Sequence, residues 1–194
     1  MLFSFLFVLL NQLIVPDAPL QVDITYITSG AASSSAGIQY VNGQLLTIED
    51  FKGKAEPNSE AVAITSSGYA FKAGFRSNRD KAALSIQVFC TFNKDKSWMK
   101  PFGKNPYVLA HEQIHFDISF LSCMQFIEEL KQAKFSTSNY SSLIEKIYNR
   151  SIYQLENMQH AYDSETSNGR LPKKQQEWSS KIKAQLNDFD VNKP

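Results

Sequence analysis

The segment His111-Glu112-Gln113-Ile114-His115 has the residue types and spacing of a metal site. In a helix, His111 and His115 lie one turn apart on the same face, so both imidazoles can bind one ion at about 2.0–2.1 Å. Glu112 lies beside this face, where its carboxylate can accept a proton from metal-activated water instead of binding the ion. The spacing therefore predicts a zinc clamp, with Glu112 as the general base of a hydrolase.

A third metal ligand must come from another segment, because a catalytic zinc site normally has three protein ligands and one open position. Asp117 is close in sequence but points about 120–160° away from the two histidines on a helix, so we expect it to bond within the fold. The candidates lie on a later predicted helix: Glu156, His160, Asp163 and Glu165. Asp163 ranks first because it flanks the apolar stripe of that helix, next to Tyr162 and one turn from Gln159. Glu165, His160 and Glu156 remain rivals, although His160 projects nearly opposite the stripe.

The elements that must position these residues are strands first and helices afterwards. Strand-like segments occupy 22–28, 44–51, 61–75 and 84–92, with a Ser, Ala and Gly loop at 29–37, and 84–92 has the clearest alternation of apolar and polar residues. Helices are predicted over 107–134 and 143–166, the second ending at Asn168-Gly169. A last amphipathic stretch puts four apolar residues on one helix face: Trp178, Ile182, Leu186 and Phe189. This order indicates an α+β domain.

Composition limits the class of protein and its partners. The chain has 194 residues, of which 43% are hydrophobic, enough to bury the core of one domain. A net charge of +1 gives no broad electrostatic surface for nucleic acid or an anionic membrane. The two cysteines, Cys90 and Cys123, both fall on apolar faces, so a disulfide and buried free thiols both remain open.

The N-terminal segment, residues 1–20, is predicted to be an export signal. Its first fifteen residues are almost entirely apolar, yet too few for the roughly 20 residues that span a bilayer. No Lys or Arg precedes Lys52, so the usual positive start is missing, and a buried N-terminal helix or strand is the alternative. We expect a periplasmic or extracellular protein without stable membrane insertion, with one domain over 21–194 and its core at about 44–189.

Several short motifs resemble one protein family. They are His-Glu-Gln-Ile-His-Phe-Asp at 111–117, Ser97-Trp98 upstream, a block from Gln159 through Tyr162, Asp163, Glu165 and Thr166 to Asn168-Gly169, and Gln175 or Gln176 before Trp178. Over about 46–189 the chain resembles bacterial secreted zinc-dependent proteases of the zincin group, catalogued as a domain of unknown function. The resemblance implies a zincin-like fold, with an N-terminal sheet packed on an active-site helix and C-terminal helices. It also implies peptide-bond hydrolysis and favours Asp163 as third ligand, and it departs at Asn168, where many relatives carry His.

The predicted function is that of a zinc-dependent peptidase acting on a peptide or protein substrate. Zn²⁺ would be held by His111, His115 and Asp163, and Glu112 would move the proton. Tyr162 is a candidate oxyanion donor, with packing of its ring in the core as the alternative reading. The strand at 84–92 could hold an extended peptide if it borders the cleft. Two other functions stay open: a non-catalytic metal-binding structural or interaction module, and a zinc hydrolase of non-peptide amides or esters.

Overall fold

Strands precede helices along the chain. The computed structural model describes residues 20–28, 37–41, 43–78 and 81–189. The strands are β1 (Leu20–Tyr26), β2 (Gly37–Gln39), β3 (Ala63–Ile64), β4 (Ser67–Ser77), β5 (Ala82–Asn93) and β6 (Trp98–Met99). The helices are α1 (Pro106–Gln132), α2 (Tyr140–Thr166) and α3 (Pro172–Asp188), and short 3-10 turns cover Ile48–Asp50 and Pro101–Gly103. The α+β class is confirmed.

Strand β5 is the centre of the main sheet. Strand β4 pairs with it antiparallel along one edge, from Ser67 opposite Phe92 to Ser77 opposite Ala82. The other edge is shared by β1, which runs parallel to the first part of β5, and β2, which runs antiparallel to its last residues. A separate two-stranded sheet pairs β3 with β6. Because both edges of β5 are paired, it has no free edge for a further strand.

Helix α1 packs against the main sheet and against the other two helices. Alternate residues of β5 are buried, and the ring of Phe92 packs against Phe116 of α1 with centroids 5.7 Å apart. Phe120, one turn later, stacks on Tyr40 at 4.0 Å. Helices α2 and α3 both pack on α1, and Trp178 of α3 meets Tyr162 of α2. Helix α2 also packs directly on β4, where Tyr140 stacks on Phe75. A helix enclosed in this way can carry polar residues of low exposure only where they find partners or face a cleft.

Most of the predicted elements are found, and one is wrong. The alternation at 84–92 and the helices at 107–134 and 143–166 are confirmed, with ends that shift by a few residues. The segment 44–51 is not a strand, because Thr47 and Asp50 form a capping box that starts a 3-10 turn. The loop at 29–37 lies outside the described residues except for Gly37, and the export segment at 1–20 lies outside them except for Leu20.

Both cysteines are buried free thiols. Burial raises the pKa of Cys90 and of Cys123 well above the ordinary value. Both tryptophans are core residues, with Trp98 and Trp178 each 6% exposed. Within the part of the chain that the structure describes, no helix combines the length and apolar character needed to cross a bilayer.

Candidate metal centre

The start of α1 fixes the position of its first histidine. Asn105 is the N-cap, and its side chain accepts hydrogen bonds from the backbone N–H groups of Tyr107 and Val108. Pro106 occupies the first helical position, where its missing N–H costs no hydrogen bond. His111 therefore lies in the second turn of a well-anchored helix, and His115 follows one turn later.

Helix α2 brings Asp163 to the two histidines. Its Oδ1 lies 3.2 Å from Nε2 of His111 and 3.0 Å from Nε2 of His115. The two Nε2 atoms are 3.3 Å apart. Three potential ligand atoms from two helices thus converge on one point.

The spacing of these atoms fits a tetrahedral metal ion. Ligands about 2.0–2.1 Å from a tetrahedral ion lie roughly 3.3 Å from one another. The three observed separations are 3.0 to 3.3 Å. The group of His111, His115 and Asp163 could therefore hold a metal ion.

The charges of the cluster are coupled. Burial alone would raise the pKa of Asp163, but hydrogen bonds to His111 and His115 outweigh it and hold that pKa far below its usual range. Burial alone would lower the pKa of His115, but the hydrogen bond to Asp163 and the charge of Glu112 outweigh it and raise that pKa. An ionised Asp163 carboxylate that faces positive charge is therefore favoured. A metal cation held by the same three residues would supply that positive charge.

Gln159 holds His115 from behind. Its Oε1 lies 2.5 Å from Nδ1 of His115, and its Nε2 donates to the backbone carbonyl of the same residue. Ser119 donates to that carbonyl as well. The ring of His115 is thus oriented with Nε2 toward Asp163, which is how outer hydrogen bonds commonly fix a metal-binding imidazole.

Tyr162 packs beneath His111 and does not line the cleft. Its ring stacks on the His111 ring with centroids 4.6 Å apart, and the side chain is fully buried. The hydroxyl donates to the backbone carbonyl of His111 at 3.4 Å. Burial and the nearby charge of Glu112 raise the pKa of this hydroxyl. The arrangement matches the core-packing reading of Tyr162 and gives no support to a role as oxyanion donor.

Glu112 borders an open cleft of about 660 Å³. The cleft is lined by His111, His115 and Asp163, together with residues 60–65, which include β3. The Glu112 side chain is 4% exposed, and its backbone carbonyl accepts a hydrogen bond from Thr65 at 3.3 Å. The strand beside the cleft is therefore β3. No residue of 84–92 lines the cleft, because β5 is buried at the centre of the main sheet, so the condition for peptide binding by that strand is not met.

The rival third ligands lie elsewhere. Glu165 accepts a hydrogen bond from Nε1 of Trp178 at 2.8 Å. His160 is exposed and lines the cleft, and Glu156 is exposed, but neither belongs to the cluster. Asp117 accepts hydrogen bonds from Tyr40 and Gln113, so the expectation that it bonds within the fold is confirmed.

A tight turn after α2 packs against the ring of His111. Ser167 and Asn168 each have φ of 53° and Gly169 has φ of 77°. A Cβ on Gly169 would lie 3.1 Å from Nδ1 of His111, so only glycine fits without a shift. Tyr107 donates from its hydroxyl to the Gly169 carbonyl and holds the turn against α1.

No family model, curated protein or solved structure matches this chain. A metal centre is therefore inferred from the positions of His111, His115 and Asp163 themselves.

Three parts of the site do not follow from the pattern of single elements. They are the cleft wall at β3, the bond from Gln159 to His115, and the position of both Gln175 and His111 next to Gly169. Gln159 is one turn from Asp163 in sequence, which suggested a partner for the carboxylate, but its amide holds the histidine instead. The resemblance to the protease family pointed to Gln175 or Gln176 before Trp178 and did not choose between them.

Proposed function

We propose that this chain is a zinc-dependent peptidase. The proposal is carried by one observation: His111, His115 and Asp163 converge within bonding range of a single ion, beside a carboxylate of low exposure, in an open cleft. Two imidazoles and a carboxylate with one open position form a ligand set typical of catalytic zinc. A site for Mg²⁺ or Ca²⁺ would instead be built from oxygen ligands.

Glu112 is the residue that would move the proton. When bound, zinc supplies Lewis acidity, which makes water nucleophilic near neutral pH and polarises a carbonyl group. Glu112 follows His111 directly on α1 and borders the cleft, so its carboxylate can accept a proton beside the ion without binding it. The same group can then donate that proton to the leaving amine.

The cleft wall favours a peptide substrate. Strand β3 pairs with β6 along one edge, and its other edge has no strand partner among the described residues. Residues 60–65 line the same cleft as the histidines, and Ile64 is 40% exposed. An extended peptide can add to such an edge through main-chain hydrogen bonds. This mode of binding needs no free terminus, so we propose an endopeptidase.

A zincin-like fold and export belong to the same proposal. The main sheet packs on the helix that carries both histidines, and the third ligand comes from the next helix. The apolar residues at 1–15 support an exported protein.

The decisive experiment compares Glu112→Gln with the wild-type protein. Zinc content is measured by elemental analysis, and cleavage is followed by mass spectrometry on an unfolded protein and a broad peptide library. We expect Glu112→Gln to keep its zinc and to lose cleavage by about 10²–10⁴-fold, the usual contribution of a general base. Glu156→Gln is the matched control, because Glu156 is an exposed carboxylate of α2 that does not line the cleft, and it should retain activity.

Three outcomes would contradict the proposal. Full cleavage by Glu112→Gln would remove Glu112 as the base. One zinc per chain without cleavage of any peptide would favour a non-catalytic metal-binding module. Turnover of amide or ester compounds alone would point to a hydrolase of non-peptide substrates.

A further inference from the structure

Two buried polar atoms lack partners at the same place beneath the candidate metal centre. Nδ1 of His111 and Oε1 of Gln175 each have no hydrogen-bond partner among the described residues. Both face Gly169: a Cβ built there would be 3.1 Å from the His111 nitrogen and 3.2 Å from the Gln175 oxygen. Unpaired buried polar atoms are rare in folded proteins, so two close together call for an explanation.

The chemistry of the two histidines explains the first atom. For both Nε2 atoms to bind one ion, both Nδ1 atoms must carry the ring hydrogen, and each hydrogen then needs an acceptor. His115 has its acceptor in Oε1 of Gln159, at 2.5 Å. The equivalent hydrogen on His111 has none within the described part of the chain. The pair of histidines is therefore supported on one side only.

The surroundings of Gln175 explain the second atom. Gln175 is 5% exposed in the first turn of α3, and its Nε2 donates to the carbonyl of Tyr107 at 3.4 Å. With the amide nitrogen used in this way, the oxygen is the end left to accept a hydrogen bond. Tyr107 also holds the carbonyl of Gly169, so the three residues keep the Gln175 amide beside the His111 ring.

We propose that Gln175 is a positioning residue for the metal centre, whose Oε1 accepts the hydrogen on Nδ1 of His111, directly or through one bridging water. The inference rests on the proposed metal centre. Gln159 on α2 and Gln175 on α3 then do the same work for the two histidines, one for each. Helix α3, which contributes no metal ligand, is thereby coupled to metal binding.

The test uses three variants of the full chain, with zinc as the probe. Gln175→Leu removes the acceptor and keeps the approximate volume, and Gln175→Glu keeps an acceptor oxygen and adds charge. Gln176→Leu is the matched control, because Gln176 is the neighbouring residue of α3 and is exposed. Zinc affinity is measured by competition with a chelator, and the stability of the metal-free proteins by thermal unfolding.

We expect Gln175→Leu to bind zinc about 10–100-fold more weakly, the usual loss when an outer partner of a metal ligand is removed. Its metal-free form should unfold close to the wild-type temperature, because the loss of the long hydrogen bond to the Tyr107 carbonyl is offset by the removal of an unpaired buried oxygen. Gln175→Glu should bind zinc at least as tightly as wild type, because a carboxylate is a stronger acceptor. Gln176→Leu should change neither quantity.

A spectroscopic measurement separates positioning from packing. In the zinc-loaded wild type, the Nδ1 hydrogen of His111 should give a proton–nitrogen NMR signal that is protected from exchange, and Gln175→Leu should lose that protection. Equal zinc affinity in wild type and Gln175→Leu, with the signal unchanged, would overturn the role of Gln175 and leave the metal centre intact. Failure of the wild-type protein to bind zinc would overturn both, and the two failures are therefore distinguishable.

Discussion

Gln159 forms hydrogen bonds with both the ring and the backbone carbonyl of His115. The amide oxygen lies 2.5 Å from Nδ1, and the amide nitrogen donates to the carbonyl of the same residue at 2.9 Å. One side chain of α2 thus fixes both the rotation of the imidazole and the position of the helix turn that carries it. Because Asp163 follows Gln159 by one turn on the same helix, the support and the carboxylate of the cluster move together.

Replacing Gln159 by Leu should weaken zinc binding by about 10–100-fold, because the His115 ring loses the acceptor that orients it. Unfolding of the metal-free protein should also occur at lower temperature, since the His115 carbonyl loses a donor. Gln154→Leu, at an exposed position of the same helix, is the control and should leave zinc affinity unchanged. Unchanged zinc binding by Gln159→Leu in chelator competition would show that the ring needs no such support.

Replacing Asp163 by Ala should remove most zinc binding, with a loss larger than the roughly 10–100-fold typical of outer residues, because one of three ligand atoms disappears. Zinc at 100 times its dissociation constant should stabilise the wild type by about 2.7 kcal/mol, and the chelated wild type should lose this stabilisation. His160→Ala is the control, since His160 lies on the same helix and lines the cleft without joining the cluster. Calorimetric scans of each variant with and without chelator measure the stabilisation by zinc. Loss of that stabilisation in His160→Ala but not in Asp163→Ala would show that His160, and not Asp163, is the third ligand.

The position of each metal-site residue on its own helix could be predicted from the sequence. His111 and His115 share a face because of helix geometry, and the apolar stripe of α2 placed Asp163 at its edge. Both arguments use periodicity within an element, which the sequence records directly.

The contacts that could not be predicted are those that depend on how strands and helices pack against one another. The parallel pairing of β1 with β5 joins segments about sixty residues apart, and periodicity does not encode a partner. A strand was wrongly predicted at 44–51, because local hydrogen bonds between Thr47 and Asp50 start a 3-10 turn in spite of the strand-like pattern. Gln175 and His111 both lie next to Gly169 because of the way α3 and α1 pack, and periodicity within either helix does not record that packing.

Asp50 should make stability depend on pH in the acid range. Burial alone would raise its pKa, but hydrogen bonds from Lys94 and Thr47 outweigh it and lower that pKa. A carboxyl group with a lowered folded pKa stabilises the protein fully above its unfolded pKa of about 3.9, and the contribution is lost as pH falls through the folded value. Asp50→Asn should therefore cost up to about 1 kcal/mol at pH 7 and less near pH 2.

Urea unfolding of wild type and Asp50→Asn at both pH values measures this difference. Asp23→Asn is the control: Asp23 is exposed and has no ion pair within the described residues, so its substitution should have an effect below about 0.5 kcal/mol at either pH. A wild-type advantage of the same size at pH 2 and pH 7 would show that the interaction does not depend on the charge of Asp50.

Two glycines with the same φ can distinguish the cost of backbone strain from the effect of a side-chain contact with His111. Gly169 and Gly43 both have φ of 77°, so alanine at either position should cost roughly 1–2 kcal/mol in the left-handed region. The space around them differs: a Cβ on Gly43 would meet nothing within 4 Å, whereas one on Gly169 would press on the His111 ring at 3.1 Å. Gly169→Ala should therefore weaken zinc binding while Gly43→Ala should not, although both lower the unfolding temperature. Equal zinc affinity in the two variants would mean that the His111 ring does not depend on this turn.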